Sequence, residues 1–179
     1  PYVVGVADIM NSDSMFDTGA DIYWKPNSNF QLTATLNPDF GQVESDELVV
    51  NFDAVETFFS DKRPFFTENQ SLFNVGFGAG NSNLIYTRRV GGQVDDPTIS
   101  AAGDVTAAIK LNGSFGELNY GMFAATEADD IGRDFYALRL TRDFGKQDVG
   151  FMATQVNRPY LDRVANVYSV DHHWKPSDN

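Results

Sequence analysis

The 179-residue chain contains no cysteine. Disulfide staples, thiolate metal sites and thiol nucleophiles are therefore excluded from it. It also lacks any run approaching the roughly 18 consecutive apolar residues that a membrane-spanning helix requires. Positive charge is scarce: 13 Lys and Arg stand against 25 Asp and Glu, for a formal net charge of −12. So acidic a chain offers no cationic face to release counterions from phosphate, which excludes nucleic acid as a partner. The only two histidines, His172 and His173, are adjacent. On a strand they point to opposite faces and cannot chelate one metal together.

What is present is aromatic and alternating. Aromatics make up 13% of the chain and hydrophobic residues 42%, yet the mean hydropathy is −0.31. That content is too aromatic for disorder, and polar residues interrupt it at strand period. Phe30 to Asn37 alternates apolar and polar without a fault. Ala20, Ile22 and Trp24 oppose Asp21, Tyr23 and Lys25, and Pro26 to Asn29 joins the two runs as a hairpin turn. Residues 2–9 are a candidate for another strand before them. Further on, Val105, Ala107, Ile109 and Leu111 form one phase, against Thr106, Ala108, Lys110 and Asn112. After a turn at 113–116, Leu118, Tyr120 and Met122 continue the alternation. Tyr136, Leu138 and Leu140 then oppose Ala137, Arg139 and Thr141. A tight turn at 143–146 leads to Val149–Val156, and a last strand runs from Val164 to Trp174. The pattern predicts an all-β, antiparallel up-and-down meander of about nine strands.

Such alternation fits two architectures. A soluble sheet turns its apolar face to a core and its polar face to water. A transmembrane barrel turns its apolar face to lipid and its polar face to an aqueous lumen. Strand lengths near ten residues favour the barrel. So do aromatics near strand ends (Tyr2, Trp24, Phe30, Phe40, Tyr86, Phe115, Phe144, Trp174) and a polar phase that is neutral as often as charged.

Residues 37–83 interrupt the meander. A Pro38 turn ends a strand, and a short strand is expected around Leu48–Phe52. Asp53 is expected to cap a helix over 54–59, which Pro64 stops. The stretch carries Phe52, Phe58, Phe59, Phe65 and Phe66 among dense charge. A solvated loop has no use for so many phenylalanines; within a barrel this segment makes a plug-like insertion. A glycine-rich tail at 75–80 returns to an expected strand over Leu84–Val90.

Three blocks of this region resemble a known family. They are Thr35 to Asp46, reading TLNPDFGQVESD; Glu56 to Glu68, reading ETFFSDKRPFFTE; and Tyr86 to Gly91, reading YTRRVG. With Val50-Asn51-Phe52 between the first two, they are similar to a bacterial domain-of-unknown-function family. Its members carry an N-terminal carbohydrate-binding module of the family-nine type. The family's blocks run as NPDFGQVEAD, FFPEKRPFFLE and YSRRIG; this chain departs at Ser60-Asp61, Thr67 and Thr87. The Arg142 to Gly145 turn and the Val149–Thr154 strand look familial too. The resemblance implies an outer-membrane β-barrel continuing beyond Asn179, with the sugar-binding module upstream of Pro1. On that expectation residues 1–179 are a fragment of one barrel domain.

The expected work is passage or capture of a ligand, a saccharide by the resemblance, in contact with outer-membrane lipid at the cell envelope. No cofactor is expected. Asn37, Asp39, Gln42, Glu44, Asp46, Glu56, Lys62, Arg63, Glu68, Arg88 and Arg89 are the candidates for anchoring the insertion or binding a ligand. Glu44 and Glu56 double as the carboxylate pair that a glycoside hydrolase would use, given a separation of about 5–10 Å. Pairing with Lys62, Arg63, Arg88 and Arg89 is the favoured role, since charges in a lumen wall need partners. Glu127, Asp129, Asp130 and Asp134 are a candidate Ca²⁺ set, and Asp13 and Asp17 another, both without EF-hand spacing. Two further readings stand beside the barrel: a cell-envelope carbohydrate-active enzyme and a soluble β-sandwich binding module.

Overall fold

A computed structural model describes residues 2–8, 13–38, 61–73, 75 and 84–175. Eight strands follow one another in chain order, each antiparallel to the next. They are β1 (Tyr2–Asp8), β2 (Asp13–Asn27), β3 (Phe30–Leu36), β4 (Val105–Phe115), β5 (Leu118–Glu127), β6 (Asp134–Asp143), β7 (Gln147–Arg158) and β8 (Arg163–Trp174). β2 is shared between two partners. Its first half pairs with β1 and its second half with β3. Strands β2 to β8 thus form a continuous seven-strand meander, with β1 added beside the start of β2. The all-β antiparallel order is the one the alternation predicts. Among the described residues β1 and β8 do not pair, so these strands form an open sheet that is not closed into a barrel. No described helix is long and apolar enough to cross a membrane.

Between β3 and β4 the described chain is a covering segment. Its regular elements are a single helical turn, α1 (Pro64–Thr67), and 3₁₀ turns at Gln70–Phe73 and Thr87–Arg89. Pro64 is the first helical residue of α1, where its missing N–H costs nothing. The strand expected over Leu84–Val90 is absent. Its carbonyls are claimed by guanidinium groups: Thr87 O and Val90 O accept from Arg63, and Arg89 O from Arg133. Backbone acceptors satisfied in this way need no neighbouring strand. The expected short strand at 48–52 and helix at 54–59 lie outside the described residues.

The core lies between this segment and one face of the sheet. Phe66, Phe73, Val75 and Val90 pack against Val105, Ala108, Phe123, Ala125, Phe135, Ala137 and Met152. Val105 breaks the phase expected of it. A register shift between Val105 and Ala107 turns it inward, while Ala107, Ile109 and Leu111 stay on the other face.

Candidate functional site

Cross-strand partners share a face, so the register sorts the side chains into two surfaces. One row across the sheet reads Trp24, Leu32, Leu111, Met122, Leu138, Ala153, Tyr168 from β2 to β8. A parallel row reads Phe30, Gly113, Tyr120, Leu140, Phe151, Val170. A third begins Ile22, Ala34, Ile109, Ala124, Tyr136 and turns polar at Gln155 and Asn166, which hydrogen-bond each other at 2.8 Å. Nothing described covers this face: Met122 is 51% exposed and Val170 72%. An open groove of about 430 Å³ lies on it, lined by Ile109, Leu111, Met122 and Leu138 among others.

The opposite face is covered, and on it polar and charged side chains stand among the core residues Ala108, Phe123, Ala125, Phe135, Ala137 and Met152. Gln31, Thr33 and Thr35 on β3 stand beside Asn112, Lys110 and Ala108 on β4. Lys110, 3% exposed, donates from Nζ to the carbonyls of Phe65 and Glu68 at the end of α1. The Glu68 carboxylate accepts from Gln31 Nε2 at 2.7 Å and Thr33 Oγ1 at 3.4 Å. Asn69 Nδ2 donates to Asn112 Oδ1 at 3.4 Å. Four wall residues from two strands therefore grip one helical turn. Gly121 on β5 makes the approach possible, because a Cβ there would overlap Leu72 and meet Phe73 Cζ at 3.1 Å.

Two charged locks hold the rest. Asp61 binds Arg63 through Arg63 Nε at 2.9 Å and Nη2 at 2.7 Å, and accepts from Thr87 Oγ1 at 2.8 Å. Burial pushes the Asp61 carboxyl up, but the hydrogen bonds and charge of Arg63 outweigh it and hold it below the usual carboxylate range. Arg63 also lies 4.0 Å over the Phe66 ring. In the second lock Glu127 accepts from Arg133 Nε at 2.8 Å and from the Gly91 amide at 2.8 Å. Arg133 Nη2 donates to Arg89 O and Gly92 O, both at 3.0 Å. Asp95 lies 3.8 Å from Arg133 Nη1 and accepts from Arg158 Nε at 2.8 Å. The Arg158 hydrogen bond, against some burial, holds the Asp95 carboxyl below its ordinary value.

Further across the wall, Arg139 on β6 reaches over Gly150 of β7 to pair with Asp171 of β8, Nη2 to Oδ1 being 2.8 Å. Arg139 Nε and Ser169 Oγ are buried without a hydrogen-bond partner.

Of the residues singled out in the sequence, Arg63 and Glu68 stand where the segment meets its surroundings. Asn37 has a positive φ of 45°, and its Nδ2 donates to Thr18 O at 2.9 Å. Lys62 and Arg89 are exposed and Arg88 is half-buried, with the Arg89 guanidinium 6.0 Å from the Tyr86 ring. Asp39, Gln42, Glu44, Asp46 and Glu56 lie outside the described residues. Glu127 is occupied by Arg133, and Asp134 accepts from Thr126 and Asn157. Asp129 and Asp130 are exposed on the turn between β5 and β6. Asp13 and Asp17 lie on β2, opposite Asp8 and Val4. Among the described residues no group of three or more His, Asp or Glu is placed to hold a metal ion. His172 and His173 occupy successive positions of β8, with His172 Nε2 3.0 Å from Gln147 Oε1.

The sequence reading missed Asp61, Asp95, Lys110, Arg133, Arg139, Arg158 and Asp171 as partners. A signal existed for two of them: Lys110 and Arg139 are lone charges in the inward phase of otherwise uncharged strand stretches.

A family model described as a domain of unknown function (DUF5916) matches residues 1–113. No curated protein matches the chain, and no solved structure does.

Proposed function

The chain belongs to the DUF5916 family, a domain of unknown function, and from that premise we propose that its sheet is part of a β-barrel wall in a bacterial outer membrane. The bare apolar face lies against lipid. The covered face lines an interior that the covering segment fills as a plug-like constriction, and the barrel passes or captures a ligand at the cell envelope.

The observation that carries this reading is that the sheet is apolar on both sides. A water-soluble sheet with one covered face turns its polar phase to water. Here the covered face holds the core together with the buried Lys110 and Arg139, and the other face leaves Trp24, Met122, Tyr168 and Val170 bare. Exposed apolar patches on soluble monomers rarely exceed a few hundred Å². Three adjacent rows, apolar over five to seven strands each, are of the extent a lipid-facing band requires.

Polar groups on the covered face, Lys110 and Arg139 among them, suit a hydroxyl-rich ligand. A saccharide is the class to which the sequence resemblance points. The test is fractionation of the full-length protein. It should co-sediment with outer membranes and stay monodisperse only in detergent. A monodisperse β-protein without detergent would refute the wall and favour a soluble binding module.

A further inference from the structure

We infer that the groove on the bare face is a binding site for a neutral glycolipid. One hydrocarbon chain lies in the groove, and the uncharged, hydroxyl-rich head group sits against Gln155, Asn157 and Asn166. The inference rests on the membrane reading above and names a ligand for the face that this reading turns to lipid.

The groove exists because two small residues sit among large ones. Ala124 on β5 and Ala153 on β7 belong to adjacent rows, and Ile109, Met122, Tyr136 and Tyr168 stand around them. A lipid-facing band needs an apolar surface, not a depression in it. At about 430 Å³ the groove falls within the roughly 300–1,000 Å³ of ordinary ligand pockets. Its lining is mostly apolar, with Thr154, Gln155 and Asn166 on the β7–β8 side. Such a division fixes the orientation of an amphipathic ligand.

The polar side of the groove continues into a polar corner of the sheet. Two residues further along each strand lies a fourth row, apolar at Leu36 and Ala107 but polar at Thr126, Asp134 and Asn157. Asp134 accepts from Thr126 Oγ1 at 2.8 Å and from Asn157 Nδ2 at 3.1 Å. Gln155 Nε2 donates to Asn166 Oδ1 at 2.8 Å. These bonds orient the amides without exhausting them. Gln155 and Asn157 each keep a second amide proton and a carbonyl acceptor, and Asn166 Nδ2 keeps both of its protons. Donors and acceptors therefore stand side by side. A hydroxyl, which both donates and accepts, uses such a corner in full, whereas a phosphate only accepts.

Charge points the same way. Among the described residues of these four rows, Asp134 is the one charged side chain. No Lys or Arg of these rows is there to pair with an anionic head, and Asp134 repels one. Tyr136, which pairs with Gln155, and Tyr168 are both exposed and offer ring faces to the C–H surface of a sugar. Chain, hydroxyls and the lack of phosphate together describe a neutral glycolipid.

The experiment places the full-length protein in phosphatidylcholine nanodiscs with a trace of monoglucosyl diacylglycerol that carries a diazirine in one acyl chain. After irradiation, cross-links are expected at Met122, Leu138 and Tyr168. Unlabelled monoglucosyl diacylglycerol should displace them at concentrations where phosphatidylglycerol does not. The double variant Gln155→Leu, Asn166→Leu should lose about tenfold of that preference, the effect of two neutral hydrogen bonds. Ala124→Phe fills the groove and should abolish the cross-links; the double variant, which leaves the groove open, decides the matter if Ala124→Phe does not assemble. Even labelling of the bare face that no lipid displaces overturns the site and leaves the membrane reading standing, as does equal displacement by phosphatidylglycerol. An unchanged preference in the double variant overturns the placing of the head group. A protein that stays out of nanodiscs and is monodisperse without detergent overturns the membrane reading itself, and the site with it.

Discussion

Asp61 and Arg63 show how a charge-dense sequence resolves into single partners. Arg63 makes two bonds to Asp61 and two to backbone carbonyls, Val90 O at 2.6 Å and Thr87 O at 2.9 Å. Removing one member strands a buried guanidinium, so Asp61→Asn is expected to destabilise the protein by about 3 kcal/mol in chemical denaturation. The pH dependence has a definite sign. A carboxyl whose folded value is depressed adds stability that is full above its ordinary value of 3.8 and is lost as pH falls through the lowered one. Acid titration of the midpoint should therefore show a share of the loss below about pH 4 that Asp61→Asn lacks. In the sequence, Arg63 stood out from its place in the KRPFF block. Asp61 was one acid among many, because two residues of separation says nothing about which acid the fork will take.

The elements were legible where alternation ran undisturbed. β3, β5, β6 and β7 fall where the period places them, since one face of each is largely apolar and a one-residue slip would invert it. β8 lies where a strand was expected, but both of its phases carry polar residues and its facing was not legible. The misses have physical causes. A bulge at Val105 reverses the phase of the first residue of β4. Arginine side chains take the carbonyls that a strand over Leu84–Val90 would have used. β2 extends back to Asp13 through residues rich in acid and glycine, where strand signals are faint.

The grip between β3–β4 and α1 is an element-scale device, and it predicts an element-scale response. Lys110→Met keeps the length of the side chain but removes its bonds to Phe65 O and Glu68 O. A hydrogen bond to a charged group contributes about 1.5–3 kcal/mol, so amide exchange over residues 64–73 is expected to speed up roughly ten- to a hundredfold. Exchange in β6 and β7 should stay unchanged. Uniform acceleration across the sheet would mean that Lys110 supports the fold as a whole and not the seating of the segment.

At the scale of the whole molecule, composition conceals the architecture. A net charge of −12 and a negative mean hydropathy describe a water-loving chain, and no described helix is fit to cross a membrane. Alternation halves the apparent hydrophobicity of each strand while leaving one face largely apolar. The sheet therefore reads as polar on average although one side is largely apolar. The two faces were legible in the sequence, but which of them is covered was not. That depends on the described residues between β3 and β4 lying against the face of Lys110 and Phe123, a contact no local pattern encodes.

The central claim is that the bare face meets lipid, and the most direct measurement is a nitroxide scan of β5 in the full-length protein reconstituted into bilayers. Spin labels at single cysteines replacing residues 119–125 report collisions with oxygen, which concentrates in the bilayer, and with a water-soluble nickel chelate. Oxygen accessibility should alternate, high at Tyr120, Met122 and Ala124 and low at Gly121, Phe123 and Ala125. The nickel chelate should be excluded at Met122. Free access of the chelate to Met122, with no alternation in oxygen accessibility, would contradict the account.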